Sequence, residues 1–307
     1  MELIAREATE EDIATIQEIA NLNLLTLNPN DKRIGEMEAL EFVRGFFDPA
    51  ITRLTKLDLD DDWQSFITLN PDSSRKRFYL DIYTRPGAQT LSHSLDLALE
   101  LAREHDSDYR LWLGTQSNDF VYKSLLESRE FTILRKYWTL EMRIPVENQS
   151  TSDSLGVIRE LDLDKEDDLR TFHEVHQDAF SQHFGFMPRQ FNEWSELVLR
   201  HKVEINLQAW LISVNGVPAG FVDFNDEQLH NDSGYVSGLG VRQAFQGKGL
   251  GEALLRHAIQ INSALGRSKL CLSVDAGNES GALRLYEKVG MKPISELHQY
   301  ENLNWSK

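Results

Sequence analysis

The chain has 307 residues, 41% hydrophobic and 26% charged, which is typical of a soluble globular protein long enough for two domains. Its formal net charge of −17 argues against nucleic-acid binding, which needs a basic surface, and weakly favours amine substrates. No apolar run is as long as a membrane span, the start does not resemble a signal peptide, and the single Cys271 excludes a disulfide framework or a thiolate zinc cluster, so we expect a cytoplasmic protein.

The two halves of the chain begin in the same way. Residues 3–6 form a short stretch typical of a strand, and an acidic helix start follows at residues 9–12. Residues 157–160 and 164–168 repeat this order in the second half. Between the halves, residues 146–155 are polar and lack apolar periodicity, which predicts a linker.

The two halves also end alike. Asn118 stands eight residues before Leu126, which lies in a short helical pattern. Asn278 stands eight residues before Tyr286, which lies in a similar pattern. We interpret the likeness as an internal duplication. The predicted domains are residues 1–145 and residues 156–307, two copies of one α/β fold in tandem.

Hydrophobic periodicity in the second half predicts helices interspersed with strands. The predicted helices span residues 161–179, 191–201, 247–264 and 280–289. The predicted strands span residues 209–214, 217–224, 234–241, 269–274 and 294–303. Asn215-Gly216 is a dipeptide typical of a type I′ hairpin turn. A hairpin followed by a βαβα unit predicts a mixed sheet rather than an all-parallel one.

A glycine-rich turn stands between the strand at 234–241 and the helix that follows. The order of strand, glycine turn and helix aims backbone N–H groups and the positive end of a helix dipole at one point, which favours a phosphate or pyrophosphate ligand. A P-loop is excluded because Lys248 is followed by Gly249 rather than Ser or Thr. A dinucleotide-binding fingerprint starting at Gly247 is excluded because Glu252 stands at its last glycine position. The alternative is a left-handed turn without a ligand.

The pattern Gln246-x-x-Gly249-x-Gly251 resembles the pyrophosphate loop of GNAT-type N-acyltransferases. A second element, Asn278 followed by the Leu-Tyr-Glu-Lys-Val-Gly-Met run at 285–291, is similar to another motif of that family. The resemblance covers about residues 155–305. The two-domain arrangement is similar to tandem acyltransferases such as mycothiol synthases.

The resemblance implies how an acyl-CoA would be held. The strand before the loop would splay from its neighbour, so that Leu239, Gly240 and Val241 bond the pantetheine arm and the thioester. Gly238 and Gly240 on either side of Leu239 suit a bulged strand. The amides from Gln246 to Gly251 would cradle the pyrophosphate, and these residues are Gln246, Gly247, Lys248, Gly249, Leu250 and Gly251. Lys248 would add charge or remain solvated.

Two further residues are assigned by the second motif. Asn278 would hydrogen-bond the CoA arm or act as the N-cap of the helix that carries Tyr286. Tyr286 is the predicted catalytic residue, because a phenol near the thioester sulfur can protonate the departing thiolate. The alternative is a core tyrosine on an amphipathic helix.

The acceptor side of the site is less specific. The predicted substrate-binding residues are His183, Tyr235 and Asp223. The strand around Tyr235 carries no carboxylate to serve as a general base, which leaves Asp223 on the preceding strand, His183 or His176 as options. His183 lies in an aromatic segment that resembles the acceptor region of tandem acyltransferases, or it is a packed loop residue.

The first half has the pattern of a degenerate copy. Thr90 replaces Gly249 and Ser92 replaces Gly251 in the corresponding loop, and a β-branched residue at that place resists a positive φ. Leu126 corresponds to Tyr286 and has no proton to donate. We therefore expect one active domain, with a weakened acyl-CoA site in the first half as the alternative.

These features predict an N-acetyltransferase that moves an acetyl group from acetyl-CoA to a primary amine of a small molecule by direct attack. No metal, nucleic acid or membrane is expected to take part, and the protein is expected to be a monomer or homodimer. One alternative is a non-catalytic acyl-CoA sensor. Another is a nucleotide-binding regulatory module, which the loop spacing disfavours.

Overall fold

The computed structural model describes residues 1–29, 31–45, 48–145, 155–277 and 281–306. Most of the predicted linker and Asn278 lie outside these residues. The strands are β1 (Leu3–Glu7), β2 (Ile51–Leu57), β3 (Ser65–Asp72), β4 (Arg77–Thr84), β5 (Arg110–Gln116), β6 (Thr132–Arg143), β7 (Val157–Glu160), β8 (Gln208–Val214), β9 (Val217–Asn225), β10 (Ser233–Val241), β11 (Lys269–Asp275) and β12 (Lys292–Glu301). The α-helices are α1 (Ile13–Leu27), α2 (Glu36–Arg44), α3 (Leu91–His105), α4 (Phe120–Ser128), α5 (Glu166–Phe180), α6 (Phe191–Glu204), α7 (Leu250–Ala264) and α8 (Ala282–Val289).

The chain forms two compact units that do not follow chain order. Unit 1 combines Met1–Tyr137 with Glu296–Lys307, and unit 2 is Trp138–Ser295. The boundaries fall inside β6 and β12, so the last strand of the chain completes the sheet of unit 1. The sequence placed the division at residues 146–155, because polarity marks a linker but does not show with which unit a strand pairs.

Unit 1 is a mixed sheet in the order β1-β2-β3-β4-β5-β12. All neighbours are antiparallel except β4 and β5, which are parallel. One face packs against α1 and α2, and the other packs against α3 and α4. Tyr300 and Trp305, from the end of the chain, are buried in the cluster on the α3 face. The core of unit 1 therefore depends on side chains that follow unit 2 in the sequence.

Unit 2 is a mixed sheet in which β10 and β11 are parallel and β7, β8, β9 and β10 are antiparallel to one another in turn. One hydrophobic cluster joins the sheet to α7 and α8, and another joins it to α5 and α6. The predicted hairpin is confirmed, because Asn215 and Gly216 have φ of 50° and 78° and connect the antiparallel β8 and β9. Unit 2 thus sandwiches its sheet between two pairs of helices.

The helix predicted from residue 161 begins later than expected. Leu161 and Leu163 are buried, but they precede α5 in an irregular segment. The Asp168 carboxylate fixes this segment, since it accepts hydrogen bonds from the Asp162 amide at 2.8 Å and the Arg159 guanidinium at 2.6 Å. The prediction was wrong at this end because buried residues of a turn imitated helical periodicity.

Candidate functional site

The sheet of unit 2 opens between its two parallel strands. Pairing of β10 with β11 runs from Ser233–Lys269 to Val236–Leu272. Beyond that pair, β10 continues to Val241 and β11 continues to Asp275, but the two strands no longer pair with each other. The edge of β10 that faces β11 therefore presents unpaired backbone groups from residue 237 onward.

A bulge in β10 lies at the start of this opening. The register of β10 with β9 shifts between Val236 and Gly238, which leaves Ser237 as the extra residue. A Cβ at Gly238 would stand 2.3 Å from an Asp223 carboxylate oxygen, and one at Gly240 would stand 2.6 Å from the Phe221 ring. Both positions require glycine for close packing. The bulged strand expected from these glycines is confirmed.

The glycine loop presents a row of free amides. Gly247 and Gly249 have φ of 74° and 82°, in the left-handed region, and α7 begins at Leu250 directly after them. Among the described residues, none accepts a hydrogen bond from the amides of residues 247–251. These donors stand at the positive end of a 15-residue helix, which is the arrangement that holds an anionic phosphate.

Helix α5 fixes the start of this loop. The Asp178 carboxylate accepts hydrogen bonds from the Arg242 side chain at 2.9 Å and from the Gln243 amide at 3.2 Å. The Gln243 side chain donates to the Ser181 hydroxyl at 3.0 Å. The sequence analysis did not predict these anchors, because nothing in the spacing connects residues more than sixty positions apart.

The two long polar side chains of the loop fold back on it. The Gln246 amide group donates to the Val241 carbonyl at 3.1 Å. The Lys248 ammonium donates to the Ala244 carbonyl at 3.1 Å and lies 5.2 Å from the centre of the Phe245 ring. Lys248 is exposed, so its charge stays beside the free amides without leaving solvent.

Tyr286 lies within α8, which glycines with positive φ flank at both ends. Its side chain is 8% exposed and belongs to the hydrophobic cluster that contains Val236 of β10 and Leu250 of α7. Burial raises the pKa of Tyr286 to about 12, so the phenol keeps its proton at neutral pH. No described residue hydrogen-bonds its hydroxyl, which leaves that proton available.

Asp223 on β9 is buried behind the bulge. It accepts hydrogen bonds from the Ser237 hydroxyl and the Gly238 amide, while the Asn225 side chain donates to the Ser237 hydroxyl oxygen at 3.2 Å. Burial outweighs these hydrogen bonds and raises the pKa of Asp223 to about 6. Because Ser237 is exposed, its hydroxyl connects this carboxylate to the opening.

Tyr235 stands next to the bulge on the β11 side. Burial raises the pKa of Tyr235. Tyr235 pairs with Cys271 one residue before the pairing of β10 with β11 ends, so it stands beside the point where the strands separate.

His183 and His176 are both held among aromatic rings. The His183 ring lies 4.4 Å from the Phe180 ring in an edge-on contact, and burial lowers its pKa while the charge of Asp275 opposes that shift. His176 packs 4.8 Å from Phe180 and 5.5 Å from Phe221, and burial lowers its pKa to about 4. Both imidazoles are therefore biased toward the neutral form near pH 7. The interaction with Asp275 places His183 near the end of β11.

The corresponding loop of unit 1 has a different backbone. Thr90 has a φ of −81° and is fully buried, with its hydroxyl bonded to that of Ser65. The Arg85 side chain pairs with Glu18 and donates to the Trp63 carbonyl at 2.9 Å. The side chains of this loop are thus engaged within unit 1, which gives a physical basis for its degenerate pattern.

Two searches of the described residues bear on other classes of site. Within residues 1–29, 31–45, 48–145, 155–277 and 281–306, no three His, Cys, Asp or Glu side chains are grouped as metal ligands would be. Over the same residues, every helix is too short or too polar to cross a membrane.

Comparison with known proteins finds one family model that matches the part of the chain containing this site. Residues 169–291 match the family model described as acetyltransferase (GNAT) family. A comparison with curated protein sequences finds no match. The matched segment runs from α5 to the end of α8, and it therefore contains the bulge, the glycine loop and Tyr286.

Solved structures share the fold over nearly the whole chain. A GCN5-related N-acetyltransferase from Sphaerobacter thermophilus superposes with a TM-score of 0.76 at 17% identity, over 98% of this chain and 95% of that one. A tandem GNAT protein from the clavulanic acid biosynthesis pathway superposes with a TM-score of 0.74 at 12% identity, over 98% of each chain. The resemblance to GNAT-type acetyltransferases and the tandem of two GNAT-like mixed-sheet units are confirmed. A fold of this kind supports acyl transfer.

Proposed function

We propose that this tandem of two GNAT-like units transfers an acetyl group from acetyl-CoA to a primary amine of a small molecule, with the reaction in unit 2. The observation that carries the proposal is the row of amides at residues 247–251 without a protein acceptor, at the mouth of an opened parallel sheet. A diphosphate on these amides lets an extended pantetheine arm follow the unpaired edge of β10.

The residues around the opening would bind the donor in a defined order. The diphosphate would accept hydrogen bonds from Gly247 through Gly251, with Lys248 adding positive charge. The backbone of Leu239, Gly240 and Val241 would bond the pantetheine arm, since the register with β11 has ended before these residues. Asn278, which precedes α8 in the sequence, remains the proposed contact to the CoA arm.

The acceptor amine would enter beside the bulge. Tyr235 and His183 flank the opening from β10 and from the turn after α5, respectively. The negative field of Asp223 and of the chain as a whole favours approach of a cationic amine. We include these three residues in the acceptor site.

An amine that arrives as an ammonium first loses one proton to solvent, and the reaction of the neutral amine then needs two proton transfers. The amine nitrogen attacks the thioester carbon, and the proton that it sheds passes through the Ser237 hydroxyl to the Asp223 carboxylate. The carbon–sulfur bond then breaks, and the Tyr286 phenol donates its proton to the CoA sulfur. The protonated Asp223 and the Tyr286 phenolate return to their starting states by exchange with solvent. No covalent enzyme intermediate forms.

A thiol-release assay tests this proposal. The protein is mixed with acetyl-CoA and pooled primary amines, and free CoA thiol is followed over time beside calorimetric titration with CoA. Amine-dependent thiol release supports the acetyltransferase. CoA binding without thiol release on any amine would support the acyl-CoA sensor instead, and tighter binding of ATP or NAD than of CoA would overturn both.

A further inference from the structure

The last turn of α5 lies against the part of β10 that borders the opening in unit 2. A Cβ at Gly240 would stand 2.8 Å from the Cβ of Ala179, so the helix and the strand touch directly. The ion pair of Asp178 with Arg242, at 2.9 Å, holds the same turn to the end of β10. Pairing of β10 with β11 has ended before Gly240. The chain that leaves α5 therefore starts beside the opening.

Phe180 ends α5 and carries an aromatic surface toward this place. Its ring centre lies 5.8 Å from that of Phe221, and the Phe221 ring would stand 2.6 Å from a Cβ at Gly240. The Phe180 ring also meets the His183 ring edge-on at 4.4 Å. Phe180 is half-buried and His183 is exposed, so solvent reaches both. We call these two residues the aromatic surface of the acceptor side.

The turn that carries the aromatic surface is fixed by its own hydrogen bonds. The His183 amide donates to the Phe180 carbonyl at 2.8 Å, and the Phe186 amide donates to the His183 carbonyl at 3.1 Å. The Arg189 amide donates to the Gln177 side chain at 3.1 Å, which ties the returning chain to α5. A ligand that binds here therefore meets a surface that is already ordered, and it loses little free energy in arranging it.

The same turn is apolar where solvent reaches it. Phe184 is 43% exposed and Met187 is 48% exposed, and both follow the aromatic surface within a few residues. Asp275 is the charged group that acts on His183, and a carboxylate attracts a cation rather than an anion. An apolar ring would remove this surface from water, whereas a polar or anionic group would gain nothing from it.

We propose that the acceptor is an arylalkyl primary amine, whose ring packs on Phe180 and His183 while its nitrogen reaches the Ser237 hydroxyl. This inference rests on the proposed function of unit 2 and narrows its substrate class. Aromatic rings attract one another in edge-on and offset arrangements, so an aryl group gains more here than an alkyl chain. An amino sugar would bring hydroxyl groups, and a polyamine a second ammonium, against apolar side chains that cannot hydrate them.

A comparison of four amines tests the proposal. Release of free CoA thiol from acetyl-CoA is followed with 2-phenylethylamine, n-butylamine, D-glucosamine and putrescine, and kcat/KM is expressed per neutral amine. The value is expected to be highest for 2-phenylethylamine and about tenfold or more above those for D-glucosamine and putrescine. The ratio of 2-phenylethylamine to n-butylamine reports on the ring alone.

Three variants of unit 2 locate the effect. Phe180→Ala and His183→Ala are each expected to lower the ratio of 2-phenylethylamine to n-butylamine about two- to tenfold. His183 is exposed, so its variant keeps the test intact if Phe180→Ala does not fold. Phe191→Ala is the matched control, because Phe191 packs on the same hydrophobic cluster as Phe180 but contacts His173 and Arg170 instead. Its ratio is expected to stay within about twofold of the wild type.

The outcomes separate this inference from the function on which it rests. Thiol release with none of the four amines would overturn both. Release with D-glucosamine or putrescine as fast as with 2-phenylethylamine would overturn the aryl preference alone and leave the acetyltransferase standing. Unchanged ratios in both Phe180→Ala and His183→Ala, or an equal fall in Phe191→Ala, would also overturn it, since a merely structural role slows both amines alike.

Discussion

The exposed hydroxyl of Ser237 donates a hydrogen bond to the buried carboxylate of Asp223, across two antiparallel strands whose register slips at that point. The slip matters because a regular strand would turn residue 237 to a different position relative to β9. Without the bulge, the carboxylate would be sealed behind the sheet. With it, a buried base of raised pKa has one hydroxyl that reaches the opening.

The first prediction concerns pH. Because the pKa of Asp223 is about 6 and the base must be unprotonated, kcat/KM is expected to rise with pH and level off above that value. Asp223→Asn is expected to lower kcat about 100-fold or more and to remove this acidic limb. Initial rates from pH 5 to 9 measure both. An Asp223→Asn enzyme that retains the limb would show that another group is the base.

A second prediction uses the hydrogen bond itself. Ser237→Ala removes a donor that favours the charged form, so the pKa of Asp223 is expected to rise and the acidic limb to move to higher pH. Ser237→Thr retains a hydroxyl and serves as the control. An unshifted limb in Ser237→Ala would contradict the role of this hydrogen bond in setting the pKa of Asp223, and an unchanged kcat would contradict the proposed proton path.

The same carboxylate links stability to pH. Its pKa is raised from 3.8 to about 6, so the folded protein binds more protons than the unfolded chain between those values. Asp223 therefore adds about 3 kcal/mol to the free energy of unfolding below pH 4, and this contribution is lost as pH rises through 6. In urea melts, the stability of Asp223→Asn is expected to depend less on pH over this window. A variant with the same pH dependence as the wild type would contradict the assignment.

Tyr286→Phe tests the general acid. The phenol keeps its proton at neutral pH, and its removal is expected to lower kcat about 100- to 10,000-fold while CoA affinity changes little. Because the Tyr286 proton goes to the departing CoA sulfur, release of free CoA thiol is the measurement. Loss of CoA binding in proportion to activity would instead indicate that Tyr286 is only a core residue.

Gly249→Ala tests the diphosphate cradle against a control in the other unit. Gly249 and Gly87 have φ of 82° and 81°, so alanine at either site costs about 1–2 kcal/mol of backbone strain. Only Gly249→Ala is expected to weaken CoA binding, by about tenfold or more. Equal CoA affinities in the two variants would remove the basis of the proposed function.

Trp305→Ala tests whether the end of the chain completes the core of unit 1. Trp305 is 5% exposed in the core of unit 1, and its ring N–H donates to the Tyr109 carbonyl at 3.0 Å. The substitution is expected to cost about 3–5 kcal/mol and to lower amide-exchange protection of α3 rather than α7. Greater loss of protection in α7 would show that the tail stabilises unit 2 instead.

Local signals accounted for much of the site. The glycines at 238, 240, 247 and 249 were informative because each serves a close approach or a positive φ that few other residues tolerate. The Asn215-Gly216 turn was informative for the same reason. Such positions are legible because the backbone conformation itself restricts the residue type.

Contacts between distant residues could not be read in this way. The Asp178–Arg242 ion pair joins a helix to the loop, and both residues look like ordinary surface charges in the sequence. The Tyr122 hydroxyl of α4 is buried and has no hydrogen-bond partner among the described residues. It also gave no signal in the sequence, because a tyrosine on an apolar helix face is usually a core residue. The pairing of β12 with β5 also gave no signal. Apolar alternation shows which face of a strand is buried, but it does not show with which strand it pairs.

The end of the chain belongs to the same unit as its start, and this has a consequence for biogenesis. On the ribosome, residues 1–137 emerge long before residues 296–306, so β5 waits with one bare edge and the space for Tyr300 and Trp305 unfilled. Residues 138–295 form an uninterrupted stretch that can mature first. Unit 1 is therefore the first unit to be translated and the last to be completed. During that delay the exposed edge of β5 is prone to non-native pairing, and it is the part of the nascent chain that a chaperone would bind.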